Sequence, residues 1–310
     1  MTMRYGAAFW VQQTGWPELR AAALAAESAG FDDLWIDDHL LADEGAWPDP
    51  KLEGWTTLAA LAAVTSRPRL GHMVNANTLR NPGLLAKMAT TVDHVSGGRA
   101  ILGMGAGWFE REHAAFGLEF GGSVGERLDR LAEAVPLVRR LLDGEEVTHA
   151  GRFYRFDRAV CNPRPVQARL PILVGGAGPR KTIPLIARWA DLWNLYGSPA
   201  EVAAADALLR AACEAIGRDE GEIDRTVCLN VVIRPTRAAA ELAWAGWFDR
   251  YRPHGGEGTL DAAGPIDDVA DALAAYRDVG FAHPVLIFRP PWDLETMARL
   301  PELRSILGAG

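Results

Sequence analysis

The sequence predicts an α/β protein, read as one (β/α)8 barrel with insertions in the βα loops, and three observations carry that reading. Short β-rich runs alternate with longer helical runs, the pattern of repeated βα units around a parallel sheet. Eight such short runs can be counted, each of a length suited to a barrel stave. The 310 residues also lie within the range that a single barrel occupies when its loops carry insertions. Open doubly wound sheets give a similar alternation, so periodicity alone leaves closure undecided.

In chain order, the strand runs are Tyr5–Val11, Asp33–His39, Arg69–Asn75, Ala100–Gly105, Ile172–Gly175, Leu192–Tyr196, Val227–Ile233 and Pro284–Phe288. The first helical run, Pro17–Ala29, has a proline suited to a first turn and is followed by Gly30, suited to a C-terminal cap. The other helical runs are Thr56–Thr65, Pro82–Val95, Glu126–Leu142, Pro179–Trp189, Ala200–Ile216, Ala238–Tyr251, Asp267–Val279 and Asp293–Leu307. Two connections exceed a minimal turn, Gly144–Leu170 and Arg252–Gly264. Both read as insertions within one domain spanning residues 1–310, because neither has the composition of a linker. No internal repeat is visible.

Composition narrows the function. A net charge of −8 without a Lys/Arg cluster excludes a polyanion-binding face and hence nucleic acid. Cys161, Cys213 and Cys228 are odd in number and widely spaced, which suits reduced thiols of the cytoplasm better than a disulfide framework or a zinc site. No apolar run approaches the roughly 20 residues that span a bilayer, and no basic-then-apolar leader opens the chain. The 11 tryptophans serve core packing first, with some left over to wall a pocket for a planar ligand.

Working residues of a parallel barrel lie where strands end and loops begin. The second strand run ends in Asp37-Asp38-His39. An imidazole is the side chain poised to exchange a proton near neutral pH, and an adjacent carboxylate can orient it; a surface Asp-Asp-His turn is the competing reading, and the residues alone leave both open. The third run ends in amides and a hydroxyl, Asn75-Ala76-Asn77-Thr78, suited to a heterocycle, whereas His72 reads equally as packing. The fourth leads into Gly103-Met104-Gly105-Ala106-Gly107-Trp108, where glycines admit a ligand and Trp108 offers a wall. Trp108 stands where a dinucleotide fingerprint needs its last glycine, so that motif is rejected. Glu110, Glu112 and His113 have no zinc-motif spacing and read as a solvated helix start; no metal is expected. After the fifth run, Gly175-Gly176-Ala177-Gly178-Pro179-Arg180-Lys181-Thr182 resembles a phosphate cradle at a helix start near Pro179. It is not a P-loop, because Arg180 replaces the glycine required before Lys-Thr.

The segments around Asp38-His39, Asn81-Pro82 to Gly98-Arg99, Gly105-Ala106-Gly107-Trp108-Phe109-Glu110-Arg111-Glu112-His113, Asn162-Pro163-Arg164-Pro165 and Leu173-Val174-Gly175-Gly176 together resemble the bacterial luciferase-like oxidoreductases. The resemblance covers nearly the whole chain and is greatest to the branch dependent on coenzyme F420, a deazaflavin. It implies a closed TIM-type barrel and hydride transfer between F420 and a small organic substrate. FMN with oxygen activation, served by a separate reductase, is the alternative, and a non-catalytic flavin-binding barrel is a third reading. It further implies His39 as proton donor or acceptor supported by Asp38, and Val74-Asn75 as a strand-three kink of the kind that often holds a non-proline cis peptide. Gly105, Ala106, Gly107 and Trp108 would contact the ring, and Gly175, Gly176, Ala177, Gly178 and Arg180 the phosphate. Some deazaflavin sugar-phosphate dehydrogenases carry a glutamate where Trp108 stands, which turns the expectation away from sugar phosphates. Trp10, Gln12, Trp47, Trp55, Trp108 and Trp292 are expected to form an apolar, aromatic substrate pocket, and a homodimer is expected by analogy.

Overall fold

A computed structural model describes residues 3–44, 48–251 and 259–308, with 248–251 as backbone alone. Its twelve strands are β1 (Gly6–Phe9), β2 (Asp33–Asp38), β3 (Arg69–Ala76), β4 (Ala100–Gly105), β5 (Val147–Ala150), β6 (Arg155–Ala159), β7 (Ile172–Gly175), β8 (Leu192–Leu195), β9 (Asp224–Leu229), β10 (Val231–Ile233), β11 (Ala262–Gly264) and β12 (His283–Phe288). Eight of them close a barrel in the order β1-β12-β9-β8-β7-β4-β3-β2, so the closure that periodicity left undecided is realised. The barrel strands are almost wholly buried, as parallel strands covered by helices must be.

By internal contacts the chain divides into two compact units, residues 1–54, 195–203 and 225–310, and residues 55–194 and 204–224. In the first, β1 pairs in parallel with both β2 and β12, Gly6 lying opposite Asp33 and Val285. Its helix Trp16–Ala29 begins with a proline in the first turn and ends at Gly30, whose φ of 93° is the left-handed cap expected there. In the second, β3, β4, β7 and β8 pair successively in parallel.

Four features differ from the sequence reading. The Val227–Ile233 run is two strands: β9 belongs to the barrel, whereas β10 pairs with β11. They part at Asn230, whose backbone N–H donates to the Asp261 carboxylate and whose carbonyl accepts from the Asp261 N–H. The 144–170 insertion contains an antiparallel hairpin, β5–β6. The last helical run breaks into Leu294–Ala298 and Leu300–Leu307 at Arg299. The helix placed near Pro179 starts at Thr182. No helix among the described residues is long and apolar enough to cross a membrane.

Candidate functional site

In the first unit, the exit of β2 is held by its neighbours before any ligand is considered. Residues 11–13 run antiparallel to 50–52: Gln13 N–H donates to Pro50 O and Leu52 N–H to Val11 O, with Gln12 opposite Lys51. That pairing delivers the Lys51 ammonium to the Asp37 carboxylate, with which it forms an ion pair and hydrogen bond buried on both sides. The other Asp37 oxygen accepts from Val11 N–H at 3.0 Å. Gln12 has a second task, because its Oε1 accepts the N–H groups of Asp43 (3.1 Å) and Glu44 (3.4 Å) and so fixes the loop after β2.

The fixed loop turns Asp43 back toward the strand. Asp43 Oδ2 lies 4.0 Å from His39 Nε2, and its Oδ1 lies 3.8 Å from Lys51 Nζ. Alternation along a strand gives Asp37 and His39 a common side, and Asp37, His39 and Asp43 bring polar atoms within 4.8 Å of one another. The cation that these groups surround is the Lys51 ammonium. Burial pushes the Asp43 carboxyl above its ordinary range, while the neighbouring His39 and, more weakly, Arg289 pull it down. Asp38 is buried beside this group on β2. The next residue of the loop, Glu44, takes the Arg289 guanidinium in two hydrogen bonds of 2.7 and 2.9 Å, and Arg289 also donates to Asn230 Oδ1 at 2.8 Å. Arg289 lies 5.5 Å from the Trp10 ring and 5.7 Å from that of Trp244.

The residues expected to wall an aromatic pocket differ in burial and surroundings. Trp10 and Trp55 are buried, Trp55 against the His72 ring at 4.7 Å, and Gln12 is a fully buried loop anchor. Trp292 meets Phe9 edge-on at 5.3 Å and lines a cleft of about 940 Å³ with Gln13, Asp49 and Pro291. Trp108, in the second unit, is 62% exposed and stacks on Phe109. Trp47 lies outside the described residues.

In the second unit, β3 is irregular where a kink was expected, but the non-proline cis peptide is Met73–Val74, one bond before the Val74-Asn75 pair, and the β3–β4 register shifts between Gly71 and Asn75. Glycines of β4 and β7 lie against this part of β3. A Cβ on Gly103 would come within 2.0 Å of His72 O, one on Gly105 within 2.5 Å of Val74 Cγ2, and one on Gly175 within 3.2 Å of Val74 Cγ1. Gly105 and Gly175 thus make room for Val74 in the first place. Asn75 donates from Nδ2 to Gly103 O at 2.7 Å, while its buried Oδ1 has no protein donor. Gly107 is held through its carbonyl by Arg127 Nε at 3.1 Å, with Ala106 beside it partly exposed. The short helix Glu110–Phe116 is only half solvated: Glu110 is exposed but Glu112 and His113 are buried, the His113 ring bonding Phe109 O and Thr78 Oγ1.

The loop after β7 is pinned at Gly176, whose φ is 107°. Its N–H donates to Asn194 O and its carbonyl accepts from Trp193 Nε1 at 2.8 Å. The N–H groups of Thr182 and Ile183 both donate to Gly178 O, so the first helical amides are already used. Lys181 is paired with Asp129, whereas Arg180 is exposed and Ala177 and Gly178 are partly so. An anion at this loop would meet Arg180 and the backbone of residues 176–178 rather than the helix end. A buried acceptor at Asn75 Oδ1 beside a kinked strand fits a planar heterocycle that presents an N–H.

Asp38, His39 and Asn75 could be singled out from their strand ends, and Val74 only from the family resemblance. Lys51, Asp43, Glu44, Arg289 and Asn230 were missed; the one local signal was the Asp-x-His alternation, and their partners are distant in sequence.

Residues 3–255 match the model of the luciferase-like monooxygenases. An F420-dependent glucose-6-phosphate dehydrogenase of Nakamurella multipartita is 31% identical, over 99% of this chain and 98% of its own. An F420-dependent hydroxymycolic acid dehydrogenase of Mycobacterium tuberculosis is 32% identical, over 76% of this chain and 66% of its own. The solved structure of an F420-dependent secondary alcohol dehydrogenase with an F420-acetone adduct superimposes with a TM-score of 0.85 at 20% identity, covering 99% of this chain and 100% of the other, a likeness of fold. With the matched model covering most of its length, the chain belongs to the luciferase-like monooxygenase family.

Proposed function

We propose that this chain is an F420-dependent oxidoreductase, one domain over residues 1–310, acting on a small, uncharged, apolar or aromatic organic substrate at the C-terminal ends of the barrel strands. The observation that carries the reading is the likeness, over almost the full length, to a relative named for its use of F420. The deazaflavin, when bound, supplies two-electron hydride chemistry. Val74, Asn75, Gly105, Ala106, Gly107 and Trp108 are the residues we assign to its ring, with the unpaired Asn75 Oδ1 as acceptor. Gly175, Gly176, Ala177, Gly178 and Arg180 are assigned to its phosphate. His39 moves the proton, next to Asp38.

The substrate class follows from charge. The Lys51 and Arg289 cations near His39 are each matched by a carboxylate, Asp37 and Glu44, which favours an uncharged substrate over a sugar phosphate. Trp10, Trp55, Trp108 and Trp292 supply apolar surface, Trp108 and Trp292 being the accessible faces. The three cysteines form no disulfide among the described residues, in keeping with a reducing cytoplasm. A homodimer served by a separate cofactor reductase completes the proposal.

Titration of the purified protein with F420 and separately with FMN, read by tryptophan quenching, tests it. Saturable binding of F420 alone at micromolar concentration is the expected result. Binding of FMN alone would replace the proposal with oxygen activation by reduced flavin, and binding of neither would remove the cofactor assignment.

A further inference from the structure

We propose that Asp43 is the positioning residue that keeps His39 protonated through neutral pH, so that the exit of β2 donates a proton rather than accepting one. The use of that proton rests on the oxidoreductase reading above; its presence does not. Four side chains carry the inference. Asp37, His39, Asp43 and Lys51 are 4%, 11%, 8% and 3% exposed, and Asp43 spans the group with one oxygen toward Lys51 and the other toward His39. Two carboxylates face one ammonium, which leaves one negative charge out of water. A buried charge without a partner is costly, and the available remedy is a proton on the imidazole.

The other charged groups around the cluster do not reverse this balance. Glu44 and Arg289 sit beyond Asp43 and cancel one another. The Tyr196 phenol, which interacts electrostatically with Asp43 and Arg289, is neutral at this pH. Asp38, next to His39 on β2, adds a negative charge. Burial raises Asp43, so carboxyl and ring compete for the same proton. An imidazole is ordinarily more basic than a carboxyl by about 2.6 pH units, and the Lys51 ammonium, 3.8 Å from Asp43, further favours the ionised carboxylate. The proton therefore resides on His39, held by an anion that the Gln12 side chain fixes in place.

The experiment is an NMR titration of the histidine ring nitrogens in the full chain without cofactor. The seven histidines give seven sets of ring-nitrogen signals, two nitrogens to each, and His39→Asn identifies the relevant set. In the wild type His39 is expected to titrate above about pH 7, against roughly 6.5 for a free histidine. Asp43→Asn should lower the midpoint by about one unit, a tenfold loss of proton affinity, and Asp43→Glu should restore much of it. Lys51→Met should move it the other way, because it removes the cation and leaves both carboxylates. A midpoint that stays put in Asp43→Asn overturns the proposal, as does a wild-type midpoint below about 6. If Asp43→Asn scrambles the remaining six sets of signals, the Lys51→Met shift decides. None of these readings requires F420, so failure of the cofactor titration and failure of the Asp43 assignment are separate results.

Discussion

His39 lies among groups already fixed by the protein, which makes its replacement informative at the scale of a single residue. Lys51 is held by Asp37, Asp43 and Glu44 by Gln12, and Arg289 by Glu44; none of these four contacts is made by the His39 ring. His39→Asn should therefore leave F420 affinity within about twofold while slowing turnover by roughly 10²- to 10⁴-fold, the usual worth of a positioned acid or base. Parallel fluorescence titration and steady-state rates measure the two effects; unchanged turnover removes His39 from the mechanism. Asp38 and His39 could be read from the sequence because they end a strand run as a compact pair of ionisable types. Glu44 and Arg289 could not, because 245 residues separate them and neither carries a local pattern. Gln12, expected at the substrate, also holds the loop after β2 through its Oε1, a task that an amide after a strand does not announce in sequence.

Elements were legible where burial imposes a period and illegible where a distant partner decides. The Val227–Ile233 run is apolar on both sides of Asn230, so periodicity continues through the point where Asp261, 31 residues away, takes the strand out of the barrel. The β5–β6 hairpin was missed for the opposite reason: its residues are mostly exposed or half-buried and carry no apolar alternation. It is held from outside by Glu133, whose carboxylate accepts from Phe153 N–H (3.1 Å), Tyr154 N–H (2.9 Å) and the His149 ring (3.0 Å). Gly151 leaves room for this carboxylate, as a Cβ there would come within 2.0 Å of Glu133 Oε1 and displace it. Burial raises the Glu133 carboxyl, but the donated hydrogen bonds outweigh it and leave the group below its ordinary value. A lowered folded value means that the contribution of Glu133 is complete above the unfolded carboxyl range and is lost as pH falls through the folded value. Glu133→Ala should accordingly raise hydrogen exchange at the Phe153 and Tyr154 amides about tenfold or more at neutral pH while leaving β3 and β4 protected. The wild type should lose protection at the same two amides on acidification, and equal protection in variant and wild type would show that the hairpin is held by something else.

At the scale of the whole molecule, the eight barrel strands were visible as short apolar runs, but their closure was not, because a period reports which faces are buried and not which strand meets which. Part of what fixes the order is polar and buried. His283 at the start of β12 and Asp33 at the start of β2 form an ion pair of 2.5 Å with 1% and 0% exposure, on the two strands that flank β1. Between them β1 passes at Gly6, where any Cβ would approach Trp35 Nε1 to 2.8 Å and Val285 Cγ2 to 3.0 Å. Such a pair adds little net stability over a well-packed apolar substitute, yet removing one member takes this contact from a fully buried polar group, at a cost of up to about 3–5 kcal/mol. His283→Ala should lower the midpoint of thermal unfolding by roughly 6–15 °C on the usual scaling for large domains, followed by far-ultraviolet circular dichroism. Joint replacement by His283→Leu and Asp33→Val should recover most of that loss, because it removes both members of the buried polar pair together. If the double variant is as unstable as the sum of the singles, the two side chains act independently, and the order of β2, β1 and β12 rests on their apolar packing and backbone pairing alone.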